Sequence, residues 1–300
     1  MILPSDFTFT ALCRYSAIRQ TILIKRILTA VVLVPIVVAL VLFAPMLAIA
    51  AVTCAVALLA LHEYLALAKA NGVIVFSRVP MVATVAIFAA ALPSIPTLWM
   101  LAVLVAAVSI ILTHAAAARP LPRILLDTAA SSFGLVYVAV PLATLPLIAQ
   151  QENGRAQLLF LLLVVWAGDI AALFIGRAIG GKKLWPRISP NKTWAGAVGS
   201  VLGSVGVAVL TVAAGAHASE HFARANPFPE PLWYWIVLAI VLNIAAQFGD
   251  LLESAIKRGA GVKDSGTLLP GHGGVLDRID ALLLAAPALW FAQLLQQYFW

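Results

Sequence analysis

Four carboxylates stand inside or at the edge of apolar runs: Asp169, Asp250, Asp277 and Asp280. A charge at the centre of a bilayer costs about 2.5–3.5 kcal/mol on insertion scales, so each needs a reason to be there. Asn243, Gln247, Asp250, Ser254 and Lys257 are spaced 4, 3, 4 and 3, which puts all five on one face of a helix. That polar stripe must look into protein or a wet cleft, because lipid cannot satisfy it. It leads into Lys257-Arg258-Gly259-Ala260-Gly261-Val262-Lys263-Asp264-Ser265-Gly266, then Leu269-Pro270-Gly271-His272-Gly273-Gly274, then Val275-Leu276-Asp277-Arg278-Ile279-Asp280. Glycines such as Gly273 and Gly274 let backbone amides come close to phosphate oxygens, and a helix opening just after adds a positive dipole end. Lys257, Arg258, Lys263 and Arg278 supply counter-charge for a polyphosphate. Carboxylates beside such a site imply a divalent cation, since alone they would repel the ligand. Magnesium suits oxygen ligands completed by substrate phosphates. His272 binds phosphate or shapes the turn.

A second polar segment precedes this one. Trp166-Ala167-Gly168-Asp169 lies in one apolar run, Gly176-Arg177 closes it, and Gly180-Gly181-Lys182-Lys183 follows. Ile188-Ser189-Pro190-Asn191-Lys192-Thr193-Trp194-Ala195-Gly196 then opens the next run. Ser189 or Asn191 is expected to cap that helix, whose N-terminus favours an anion near Ser189, Lys192 and Thr193. Lys182, Lys183 and Arg187 read either as anion contacts or as topology signals. Gly196, Gly199, Ser200, Gly203 and Ser204 make a face for close helix packing. Glu63, at the end of an earlier run, reads either as a member of the site or as an interfacial residue.

These segments sit in a chain built for a membrane. Of 300 residues, 63% are hydrophobic and 10% charged, against about 45–50% and about 25% in soluble domains. The apolar runs lack strict alternation, which argues for helices over a barrel. The expected fold is all-α and polytopic, with about nine spans near Ile27–Phe43, Met46–Ala68, Val79–Leu92, Leu98–His114, Ser131–Ala149, Gln157–Gly176, Trp194–Ala216, Leu232–Lys257 and Gly274–Tyr298. Residues 1–26 read as a cytoplasmic tail, 27–155 as five nearly featureless spans, and 156–300 as the four spans that carry the chemistry. With the N-terminus in the cytoplasm, 17 of the 19 Lys and Arg fall in inner segments, and only Arg155 and Arg224 fall outside. The net charge of +7 lies in loops, so it reads as topology and anionic headgroups rather than nucleic-acid binding. Trp233-Tyr234-Trp235, Phe299 and Trp300 are expected in an outer aromatic belt. Cys13 and Cys54 form no ligand or disulfide pattern and read as structural.

The run from Ser254 to Asp280 resembles the signature of the phosphatidate cytidylyltransferase (CDP-diacylglycerol synthase) family. That signature is Ser-x-apolar-Lys-Arg, four residues, Lys-Asp, and then His-Gly-Gly-apolar-x-Asp-Arg-apolar-Asp. The Asp169 segment and Ser189-Pro190-Asn191-Lys192-Thr193-Trp194 also look like family motifs. Many members have glutamate where this chain has Ala195. The resemblance covers residues 160–300, while the first half matches in hydropathy only.

The resemblance implies a reaction in which CTP and phosphatidic acid give CDP-diacylglycerol and pyrophosphate at the cytoplasmic face of the inner membrane, in a homodimer. It implies that Asp250 and Asp277 hold magnesium, with Asp280 and Asp264 next in line and a second cation bridging to the CTP phosphates. Lys257, Arg258, Lys263 and Arg278 would neutralise phosphates, and Ser254 and His272 would orient them. Two rival readings stay open: a polytopic transporter, and an enzyme acting on another lipid phosphate or nucleotide. A transporter would place its charges nearer the midplane than at one surface.

Overall fold

The computed structural model describes residues 31–93, 95–222, 227–268 and 273–299. The expected cytoplasmic tail, His272, Arg224 and Trp300 lie outside the described residues. Seven helices are long and apolar enough to cross a bilayer: α2 (Met46–Ala70), α4 (Leu98–Ala118), the composite Leu121–Ala149, α7 (Gly154–Ile179), α8 (Trp194–Phe222, apolar to Ala218), α9 (Leu232–Gly259) and the segment Leu276–Gln296. Two more expected spans appear as shorter apolar helices, α1 (Val31–Phe43) and α3 (Arg78–Ala90). The 13 residues of α3 reach only about 20 Å, less than the roughly 30 Å of hydrocarbon. The protein is an all-α, multi-pass membrane protein.

Local sequence explains where helices begin. Pro45, Pro120 and Pro231 stand in extended backbone immediately before α2, α5 (Leu121–Gly134) and α9. Proline fits a helix entrance because its φ is fixed and its missing N–H would find no partner there. The fifth span begins at Leu121, ten residues before the expected Ser131. It runs through α5, a π turn at Leu135–Ala139 and α6 (Val140–Ala149). The early start was masked by charge, since Arg123 and Asp127 suggest a loop. In fact Asp127 is fully buried, pairs with Arg123 at 3.3 Å and Arg119 at 4.0 Å, and accepts the Ile74 N–H at 3.3 Å. The first half is therefore not featureless: it hides a buried charge that pins the α2–α3 connection.

Contacts define two ends of the bundle. At the basic end, Arg123 donates to the Gly72 carbonyl (2.6 Å), and Arg258 reaches the Ile188 carbonyl (3.4 Å). At the opposite end, Arg155 donates to the carbonyls of Val41, Leu42 and Ala44, closing the last turn of α1. There too Gln150 donates to Ala91 O at 2.7 Å. Two apolar clusters fill the interior. One joins α2, α3 and the π turn to the short α10 (Leu276–Ile279), and the other joins α7, α8 and α9 to α11 (Leu282–Phe299). Trp235 belongs to this second cluster. It is fully buried against Phe160 and Phe228, whereas Trp233 is exposed, so the expected aromatic belt does not include Trp235.

The face of small residues on α8 packs as expected. A Cβ on Gly203 would stand 3.0 Å from the Ala167 carbonyl, and Gly176 and Gly196 approach so closely that either Cβ would meet the other's backbone at 3.3–3.4 Å. Interhelical van der Waals contact of this kind substitutes in lipid for the hydrophobic drive of water. Asn243 on α9 is buried and donates to Ser200 and Ser204 of α8, both at 2.8 Å, and Gln247 donates to Asn243 (2.6 Å) and Ala197 O (3.2 Å). The upper part of the polar stripe thus ties helices together. One element departs from the all-helical expectation: β1 (Lys183–Trp185) and β2 (Ser189–Thr193) pair antiparallel as a small hairpin between α7 and α8.

Candidate active site

The hairpin and three helices enclose a cleft of about 760 Å³ at the basic end. Asp169, Gly176 and Arg177 line it from α7, Lys183, Asn191, Lys192 and Thr193 from the hairpin, Gly196 and Ser200 from α8, and Gln247 and Asp250 from α9. A cavity of this size suits a nucleotide-sized ligand. The elements converge for sequence reasons. Gly180 (φ +65°) and Gly181 (φ +87°) adopt left-handed backbone, turning the chain out of α7 into β1. The hairpin then delivers Thr193, whose Oγ1 accepts the Gly196 N–H at 3.1 Å. Thr193 is therefore the cap of α8. The expected caps Ser189 and Asn191 lie within β2, too far upstream to serve.

Within the cleft, Lys192 Nζ lies 2.6 Å from Asp250 Oδ2. Ser254, one turn further along α9, is 3.4 Å from Asp250 Oδ1. Asp169 is exposed to the cleft. Asp169 of α7 and Asp250 of α9 thus line the same cleft. Asp280 sits directly behind α9, where a Cβ on Gly249 would run into its backbone carbonyl. Its Oδ1 accepts the Ala281 N–H at 2.8 Å.

Asp277 is placed differently. Its Oδ1 accepts from Lys257 at 2.5 Å, and its Oδ2 accepts from Ser265 N (2.9 Å) and Gly274 N (2.7 Å), with Ser265 Oγ at 3.0 Å. Lys257 also pairs with Glu253, which is fully buried one turn earlier on α9. The sequence reading passes over Glu253, although its four-residue spacing to Lys257 on the same helix was a usable signal. Glu63 comes in from α2, buried, and accepts Val275 N (2.9 Å), Leu276 N (2.8 Å) and Ser265 Oγ (2.9 Å). The single Ser265 proton serves one carboxylate at a time. The amides of Gly274, Val275 and Leu276 are thus engaged inside the protein by Asp277 and Glu63. Gly273 has φ +81°, and a Cβ there would stand 2.6 Å from Asp277 Oδ2. Glycine is needed at this position for both reasons.

The basic residues divide in the same way. Lys263 and Arg278 are exposed on the surface of this loop region. Arg258 is exposed too, but braces the Ile188 and Val262 carbonyls (3.4 and 2.9 Å), linking α9 to the hairpin turn. Ser189 is partly buried in β2, on the hairpin that carries Lys192. Ala195, in the first turn of α8, presents no carboxylate to the cleft. Among the described residues, no three His, Cys, Asp or Glu side chains converge as a preformed metal-ligand set.

Residues 24–295 match the cytidylyltransferase family. The chain belongs to that family. It is 48% identical over 162 residues to a phosphatidate cytidylyltransferase of Brucella suis biovar 1 (strain 1330), covering 52% of this chain and 54% of the relative. A phosphatidate cytidylyltransferase of Bacillus subtilis (strain 168) is 39% identical over 140 residues, 47% of this chain and 48% of the relative. One from Rickettsia felis (strain ATCC VR-1525 / URRWXCal2) is 36% identical over 162 residues, 54% of this chain and 69% of the relative. The matched stretch spans about half the length of the Brucella and Bacillus relatives.

Proposed function

We propose that this protein transfers a cytidylyl group from CTP to phosphatidic acid, releasing pyrophosphate and forming CDP-diacylglycerol. The carrying observation is the cleft at the basic end, where Lys192 pairs with Asp250 and Asp169 lines the same space from α7. Family membership names the group transferred, and the names of the relatives name the lipid. Placing that end at the cytoplasmic face of the inner membrane agrees with the distribution of Lys and Arg and gives the nucleotide entry from water. A homodimer is part of the reading through the resemblance alone. Neither a transporter nor a different lipid phosphate is favoured by any contact described above.

In this reading an oxygen of the lipid phosphate forms a bond to the α-phosphorus of CTP as the bond to the pyrophosphate oxygen breaks. The attacking oxygen is already anionic, so no side chain need remove a proton. Catalysis then rests on positioning and on neutralising charge. Lys192, Lys263 and Arg278 carry the positive charge, while Lys257 is committed to Glu253 and Asp277 and Arg258 partly to backbone carbonyls. Ser254 and His272 are assigned to orienting phosphates, with Thr193 and Ser189 fixing the wall of the cleft.

Magnesium fits the donor set. It commonly uses one or two protein carboxylates and takes the rest from substrate phosphates and water, so a preformed triad is not required. Asp250 and Asp280 offer free oxygen lone pairs, with Asp169 nearby. Asp277 retains only Oδ1, already shared with Lys257, so its part as a direct ligand is the narrowest of the three. The ion, with a second cation in the fuller form of the proposal, would supply charge neutralisation on the CTP phosphates. The test is pyrophosphate release by the purified protein in detergent micelles. Release that requires CTP, phosphatidic acid and magnesium together is expected. Folded protein that releases none, across several nucleotides and lipid phosphates, overturns the proposal.

A further inference from the structure

Glu63 lies 202 residues before Ser265 and 213 before Leu276, yet its carboxylate binds both. Its two oxygens take three donors at 2.8–2.9 Å: the Val275 and Leu276 amides and the Ser265 hydroxyl. Two glycines make room for it. A Cβ on Gly266 would stand 2.6 Å from Glu63 Oε1, and one on Gly274 would overlap the same carboxylate. The Ser265 backbone amide, on the same residue as the hydroxyl that Glu63 reaches, is bound to Asp277. Tyr64, the next residue, anchors the helix through its hydroxyl to the Ala130 carbonyl at 3.0 Å.

We propose that Glu63 is the positioning residue for the signature loop of the second half. It sets the separation of Ser265 from Val275 and Leu276, and with it the direction of Asp277 and Lys257 and the presentation of Lys263 and Arg278 to the nucleotide phosphates. The last part rests on the cytidylyl-transfer reading; the bracing itself does not. A carboxylate suits this place because it only accepts, and all three neighbours donate. Glutamine would turn an amide N–H₂ toward at least one N–H, leaving a buried donor unmatched.

The test compares Glu63→Gln and Ser265→Ala with the parent protein in detergent. Two readouts are followed: tryptic cleavage after the exposed Lys263, and KM for CTP. Glu63→Gln is expected to speed cleavage and to raise KM about tenfold, with Ser265→Ala moving both the same way by about threefold. A purely structural role lowers kcat through the folded fraction and leaves KM alone. Unchanged KM in both variants, or parental cleavage rates in both, overturns the proposal. Should Glu63→Gln fail to fold, Ser265→Ala decides on the same two readouts. If the parent releases no pyrophosphate from CTP and phosphatidic acid, the functional reading fails separately, and the cleavage rates alone decide the bracing.

Discussion

Two groups of charged residues share the basic end of this protein and are built in opposite ways. Around the cleft, Asp169, Asp250 and Lys192 face open space, with Lys192–Asp250 at 2.6 Å as their direct ion pair. Around the signature loop, Glu63 and Asp277 have both oxygens taken by donors, and Lys257 is held between Glu253 and Asp277. The same residue types do different work because of what surrounds them. A carboxylate with its lone pairs filled fixes backbone, whereas one with lone pairs free can accept a ligand. The comparison separates shape from chemistry more cleanly than the motif, which runs through both groups.

The sharpest break of this contrast is expected at Asp277. Asp277→Asn keeps the size but turns an N–H₂ toward a donor whichever way it sits, either Lys257 or the Ser265 and Gly274 amides. It should abolish turnover and also cost about 1–3 kcal/mol of stability, read as a lower unfolding midpoint in detergent. Loss of turnover with an unchanged midpoint would place Asp277 with the open group. Asp250→Asn should behave in the reverse sense. Turnover should fall by about 10²–10³-fold, the scale of losing one charge-stabilising group. The midpoint should barely move, since a solvent-accessible pair contributes about 0–1 kcal/mol. The smallest effect is expected at Thr193. Thr193→Ala removes the cap of α8 and should cost about 1 kcal/mol, with turnover reduced only as far as the hairpin shifts Lys192. A drop in turnover as deep as that of Asp250→Asn would show that Thr193 touches substrate.

How much of this was legible depends on range. The helices, the polar stripe and the α7–α8 packing face follow from periodicity and small-residue spacing, which are local. The hairpin did not, because β2 holds four polar residues and a proline, which carry little strand propensity, and its pairing comes from the glycine turn and the neighbouring helices. Nor did the early start of the span at Leu121, where Asp127 looks like a loop residue until Arg119, Arg123 and the Ile74 amide are seen around it. Glu63 was readable as a costly charge but not as a partner of Val275, since nothing local encodes a contact 212 residues away. The stripe on α9 also mixed two roles that spacing alone does not separate: Asn243 binds α8, while Asp250 faces the cleft.

The π turn at Leu135–Ala139 has a consequence for how α2 is seated. Such a turn holds more residues than the same length of α-helix, so the side-chain pattern after it is rotated relative to the pattern before it, by about 100° for each residue gained. Tyr64 of α2 seats against the entrance of this turn: its hydroxyl reaches Ala130, and its ring lies 6.0 Å from Phe133 and 6.2 Å from Tyr137, which stack on each other. Held at both its hydroxyl and its ring, Tyr64 resists rotation of α2 about its own axis. The roll angle of α2 is what aims the residue beside Tyr64 at the loop more than two hundred residues away.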